Sequence, residues 1–131
     1  MVWSRPDGKL DRLAALPALR RLRRPQLLVL GSIVDELTFP PGRVIVRGGI
    51  LPSECFILFR SGDGLLSERG AWRVPEGGAT LGVWPWLTRD RHPATVLAAT
   101  TVIAYSVSPP AVHLLVETVG LRCWPSAEWP R

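Results

Sequence analysis

Between Phe39 and Gly78 the chain is broken by turn signals at short intervals: Pro40-Pro41-Gly42, Ser61 to Gly64, Arg69-Gly70 and Pro75 to Gly78. Proline breaks helix interiors, and glycine adopts backbone angles that other residues avoid, so no long helix fits this region. The pieces between the turns, within ELTFPPGRVIVRGG and CFILFRSGDGLLSERGAWRVPEGG, are rich in β-branched, aliphatic and aromatic residues. They read as short strands. Further on, Ala94 to Ala98 and Val102 to Val107 give two more, with a turn near Thr100. Short strands at this turn density indicate a sandwich or barrel, not a parallel sheet with intervening helices.

Helical spacing appears only at the two ends. In LDRLAALPALRRL the apolar positions Leu10, Leu13, Ala14, Leu19 and Leu22 recur at near-helical intervals, and Pro17 should split them into two short pieces. In PQLLVLGSIVDEL, Pro25 suits a first helical position and Gly31 a stop. At the other end SPPAVHLLVETVG reads as a helix with Ser108 as cap, Pro110 in the first turn and Gly120 as terminator. Val112, Leu115, Val116 and Val119 fall on one face, which should pack on the strands, while His113 lies off it. The tail LRCWPSAEWPR is expected to be irregular.

A length of 131 residues with 47% hydrophobic and 21% charged residues suits one globular domain with a real core. The expected fold class is mainly β with flanking α, a double-stranded β-helix or jelly-roll-like β-roll. A single domain 1–131 would carry short helices over about 9–32, the β-roll over about 34–107, a closing helix over about 109–119 and an irregular tail 121–131. No run approaches the roughly 20 apolar residues that span a bilayer, and no apolar segment precedes a cleavage site, so the expected location is cytoplasmic, with no membrane insertion. Cys55 and Cys123 have no disulfide framework or metal spacing around them and read as free thiols, Cys55 as core. The net charge of +5 includes a cluster at Arg12, Arg20, Arg21, Arg23 and Arg24. It reads as a solvated helix face or basic connector in preference to a phosphate-binding patch.

Three patches carry a resemblance. LAALPAL with VDELTFPPGRVIVRGG, then CFILFRSGDG, then LGVWPWLTRDRHPATVLAATTVIAYSV occur in the order found in the cyclic nucleotide-binding domain family, the sensor domain of cAMP receptor protein-like regulators. The resemblance runs from about Leu10 to Val119. It implies an opening helix, two strands joined by a first hairpin at FPPG, a third strand followed by a glycine turn, and a phosphate-binding cassette at Leu81 to Val96. In that family a glutamate after the cassette glycine binds the ribose hydroxyl. An arginine two residues before the closing Ala-Thr-Val pairs with the cyclic phosphate, and a small hydroxyl residue follows it.

Anchored on Gly82 and on Ala94, Thr95 and Val96, the cassette aligns without a gap, which puts Val83 at the glutamate position, His92 at the arginine position and Pro93 at the hydroxyl position. Each change removes a contact. Valine leaves a sugar hydroxyl unpaired, at about 1 to 3 kcal/mol. Replacing an always-charged guanidinium fork by a mostly neutral imidazole costs on the order of 2 to 5 kcal/mol. Proline supplies neither hydroxyl nor N–H. Together the losses amount to roughly two to five orders of magnitude in affinity.

Arg91 and Arg89 are the alternative source of a phosphate contact, against solvated positions for both. Trp84 and Trp86 flank Pro85, and one indole is expected to fill the sugar space; lining an open pocket, it would instead stack on an apolar ligand. The candidate ligand-binding residues are therefore Gly82, Val83, Trp84, Trp86, Arg91, His92, Pro93, Ala94 and Thr95. No serine sits in a recognisable nucleophile motif, no carboxylates pair on one element, and neither His92 nor His113 has a metal-ligand cluster around it. No catalysis, metal or cofactor is expected.

The expected function is a non-enzymatic regulatory or interaction module without family-type cAMP or cGMP affinity, acting through an unidentified protein partner or ligand. The alternative is a true cyclic nucleotide sensor with a pocket rebuilt around Arg91 or Arg89. The chain ends eleven residues after Gly120, so no helix-turn-helix and no specific DNA binding are expected. The short closing helix puts a family-style homodimer in doubt.

Overall fold

The computed structural model describes residues 6–20 and 22–119. The tail 121–131, with Cys123 and two tryptophans, lies outside the described residues, as do Gly120 and Arg21. Helix α1 (Pro6–Ala14) is followed by a 3-10 turn at Pro17–Leu19 and helix α2 (Arg24–Ile33). Then come β1 (Val34–Phe39), β2 (Val44–Val46), β3 (Cys55–Leu58), β4 (Gly64–Ser67), β5 (Gly70–Arg73) and β6 (Ala79–Leu81). A short helix α3 (Val83–Thr88), strands β7 (Val96–Ala98) and β8 (Val102–Val107), and helix α4 (Pro109–Val119) complete the order. The strands form two antiparallel sheets, β1-β8-β3-β6 and β2-β7-β4-β5, the β-roll that the turn density implies.

Two apolar clusters share the first sheet as their partition. Strand β3 is buried at all four positions. Its alternation sends Phe56 and Leu58 into the roll interior, with Leu65, Leu81, Val96 and Val102. Cys55 and Ile57 face the other way and pack with Leu13, Leu19, Leu30, Val112 and Leu115 from the helices. Strand β8 divides in the same way, Val102 and Ala104 inward and Tyr105 and Val107 toward the helices. On α4, Val112 and Leu115 are buried and Val116 is partly buried, as the spacing requires.

Three expectations from the sequence need correction. Gly31 does not stop α2, which continues to Ile33 and passes directly into β1. The glycine instead lets α1 lie close, since a Cβ there would come within 3.0 Å of Leu10 Cδ2. The terminal carbonyls are satisfied from outside the helix: Lys9 Nζ donates to Gly31 O at 3.0 Å and Val34 O at 2.9 Å. Pro40-Pro41-Gly42 does make a turn, with Gly42 at φ 87°. It is not a hairpin, because β1 pairs with β8 and β2 with β7, so the chain changes sheets there.

The third correction concerns Arg12. It is no mere solvated connector: its Nε donates to the Tyr105 hydroxyl at 2.8 Å and its Nη2 to Glu36 Oε1. Tyr105 is fully buried and stacks on Phe59, with centroids 4.6 Å apart and an interplanar angle of 17°. The N-terminal helix is thereby fastened to the central strand by a charge-assisted hydrogen bond. Arg20, Arg23 and Arg24 are exposed.

Burial pushes the Tyr105 phenol above its ordinary value, and the Arg12 hydrogen bond offsets this only in part. Folding therefore tightens proton binding. The associated stability is present below the ordinary tyrosine value of about 10 and is lost as pH rises through the higher folded value. Because the chain has one tyrosine, tyrosinate absorbance reports this group alone. We expect it to rise above pH 10 together with loss of the circular dichroism of the fold; a step at the ordinary value in folded protein would refute the assignment. Arg12→Ala should lower unfolding stability by about 1 to 2 kcal/mol in denaturant titrations.

Candidate functional site

The loop from Leu81 to Val96 leaves β6 through Gly82, whose left-handed backbone (φ 87°, ψ −7°) turns the chain into α3. A Cβ there would lie 3.0 Å from Glu54 O, so shape as well as torsion calls for glycine. Pro85 is tolerated in the first turn of α3, where its missing N–H has no intrahelical partner to lose. The helix closes with Arg89 at φ 60°, the one non-glycine residue with positive φ among the described residues.

Helical periodicity decides where the bulky side chains go. Val83, Trp86 and Leu87 fall on one face at i, i+3 and i+4 and pack against the helix-side cluster. Trp86 meets His113 of α4 edge-on at 4.9 Å, and the Arg89 guanidinium stands 6.0 Å from its ring. Trp84 faces outward, 36% exposed. It lines a shallow open hollow of about 820 Å³ with Pro85, Arg89, Arg91 and Pro93. Neither indole fills the sugar space: Trp86 ties α3 to α4, and Trp84 lines the outer hollow, the second of the two roles the sequence left open. His113 is exposed but partnered.

The return limb is zipped to the segment before β3. His92 N–H donates to Ile50 O and Gly49 N–H to His92 O, each at 2.8 Å. Gly48 N–H donates to Thr95 Oγ1 at 2.9 Å. The backbones approach so closely that a Cβ on Gly48 would sit 2.8 Å from Thr95 N. Arg91 is exposed and its Nη1 donates to Gly49 O at 2.6 Å. No motif in the sequence points to Gly48-Gly49-Ile50 as the partner of the cassette; the paired glycines are the only local signal.

His92 is 2% exposed, and its Nδ1 lies 2.6 Å from Ala94 O. A carbonyl can only accept, so Nδ1 carries the proton there. In the neutral ring Nε2 is then an acceptor. His92 also lines a cleft of about 740 Å³ between β2 and the connection to β3, where Ile45 and Phe56 form apolar floor and Arg43, Arg47 and Glu54 bring charge. The nine sequence-derived candidates thus divide. Trp84, Arg91 and Pro93 meet at the outer hollow, and His92 reaches the cleft. Val83 and Trp86 pack toward the helices, while Gly82, Ala94 and Thr95 shape the backbone. Among the described residues no group of three His, Cys, Asp or Glu side chains could hold a metal ion, and no helix is long and apolar enough to cross a membrane.

The architecture coincides with that of solved structures. The cAMP-binding acyltransferase from Mycobacterium smegmatis superposes with a TM-score of 0.66 at 25% identity, over 89% of this chain and 38% of its own. The guanosine-bound regulatory subunit of a cAMP-independent protein kinase A from Trypanosoma cruzi gives 0.70 at 21%, over 87% and 42%. The regulatory domain of Toxoplasma gondii protein kinase A crystallised with cAMP gives 0.70 at 16%, over 88% and 46%. This chain has the fold of the cyclic nucleotide-binding domains. It spans less than half the length of each of these three. No family model and no curated protein matches the sequence.

In this cyclic nucleotide-binding-type domain the cassette backbone depends on its two tight glycines. Gly82→Ala should cost about 1 to 3 kcal/mol of stability. Gly48→Ala should separate the two limbs and speed amide exchange at Gly49 and His92; unchanged exchange at both amides would contradict the pairing.

Proposed function

We propose that this domain is a non-enzymatic regulatory or interaction module that works without family-type affinity for cAMP or cGMP. The observation that carries the reading is His92. At the position where the resemblance places a phosphate-binding arginine stands a buried imidazole whose Nδ1 proton is committed to Ala94 O. In its neutral form the other nitrogen offers a lone pair, which repels a phosphate oxygen where a guanidinium would donate two hydrogen bonds.

Two further positions agree. Val83, at the place of the ribose-binding glutamate, belongs to the helix-side apolar cluster. Pro93 has no N–H to donate. The alternative, a phosphate site rebuilt on Arg91 or Arg89, would require Arg91 to surrender its bond to Gly49 O and turn inward from an exposed position. The Trypanosoma cruzi neighbour, a regulatory subunit of a cAMP-independent kinase bound to guanosine, supports a role for this fold apart from cAMP.

Titration calorimetry and tryptophan fluorescence with cAMP and cGMP should show no saturable binding up to millimolar concentrations. The triple variant Val83→Glu, His92→Arg, Pro93→Ala should gain saturable binding, recovering about two orders of magnitude or more. Saturation of the native protein at micromolar nucleotide would overturn the reading. If Arg91→Ala then abolished that binding, the rebuilt pocket would be the correct account.

A further inference from the structure

Among the described residues strand β2 lies at the end of its sheet, paired with β7 on one side only. Its other edge opens on the cleft of about 740 Å³, one wall of which is formed by every residue from position 40 to 47. An edge of this kind presents main-chain N–H and C=O groups that another extended chain can pair with. The opposite wall comes from the connection to β3, and Ile45 and Phe56, buried in the roll interior, also reach the cleft lining.

Two arginines, Arg43 and Arg47, against one carboxylate, Glu54 in the opposite wall, leave the cleft with a net positive charge that favours an acidic occupant. Arg43 and Arg47 stand at the two ends of β2, both exposed. Neither has a hydrogen-bond or ion-pair partner for its guanidinium among the described residues. By contrast Arg12 is engaged with Glu36, Arg73 with Gly62 O and Arg91 with Gly49 O. Three residues, Val44 to Val46, lie between Arg43 and Arg47, with a bulge in the pairing there; a fully extended chain would put them about 13 Å apart. Carboxylates spaced four apart on a facing strand would meet both, and apolar residues between them would cover the floor.

We propose that the β2 edge is a docking site for an extended acidic segment of a partner protein, added as an extra strand. Main-chain pairing supplies the affinity and the two arginines select for acid. A polyphosphate could satisfy the arginines but not the strand edge, which is why a peptide is favoured over nucleic acid. This proposal rests on the reading that the module acts through protein contacts, but its test contains no nucleotide, so the two can fail separately.

The test uses the full chain and a fluorescein-labelled decapeptide of alternating glutamate and valine, followed by fluorescence anisotropy. Saturable binding is expected, weakened about tenfold or more by Arg43→Glu with Arg47→Glu. Thermal melting of that variant, compared with the native protein, separates lost docking from lost folding, and Arg43→Ala with Arg47→Ala provides the milder change. The same peptide N-methylated at every residue should bind at least about tenfold more weakly, because it cannot donate to the edge. Absence of binding at millimolar peptide would overturn the proposal. So would undiminished binding of the N-methylated peptide, equal binding of a lysine-valine peptide, full competition by a single-stranded oligonucleotide with undiminished affinity in the folded arginine variants, or unaltered affinity in those variants.

Discussion

Strand β3 has no solvent-facing side: Phe56 and Leu58 lie inside the roll while Cys55 and Ile57 lie against the helices. The strand therefore belongs to two cores at once, and its pairing with β6 and β8 fixes the sheet that separates them. The helices depend on that partition. Their apolar residues find cover only where β3 and β8 present Cys55, Ile57, Tyr105 and Val107. The Arg12 to Tyr105 hydrogen bond then sets how α1 meets the sheet, since a buried hydroxyl without a partner would be costly.

The cassette is held by backbone geometry independent of ligand chemistry. Gly82 supplies the left-handed turn, and Gly48 allows contact with the Ala94-Thr95 backbone. Hydrogen bonds between Gly49, Ile50 and His92 close the two limbs. None of these contacts requires the glutamate or the arginine that the family uses for a nucleotide. The loop keeps this shape while Val83 joins an apolar cluster and His92 bonds to Ala94. Burying a carboxylate or guanidinium without its ligand would carry a desolvation cost, which these replacements avoid.

Much of this was legible in residue order. Ser61 to Asp63, Arg69 and Pro75 to Gly78 lie between strands, Gly64 and Gly70 open β4 and β5, and the closing helix occupies Pro109–Val119. Local signals failed where their meaning depended on a distant neighbour. Gly31 looked like a helix stop but makes room for Leu10. FPPG looked like a hairpin, yet partner choice sends β1 to β8 and β2 to β7. Arg12 looked like one of several solvated arginines until the fold brought Tyr105 to it across the sequence. Sequence alone left both tryptophans as pocket candidates; the turn of α3 directs Trp86 toward α4 and Trp84 outward, where it lines the open hollow.

By itself, the sequence determined the alphabet of elements: short strands, brief terminal helices and a glycine-anchored loop that carries Val83, His92 and Pro93. Those properties are local, set by torsional preference, periodicity and the chemistry of single side chains. Tertiary structure alone decided which strand edges were paired, where each indole pointed, and that His92 bonds to Ala94 O while Arg91 bonds to Gly49 O. The physical reason is that pairing and direction depend on groups far apart in the chain, brought together only when the two cores form around β3.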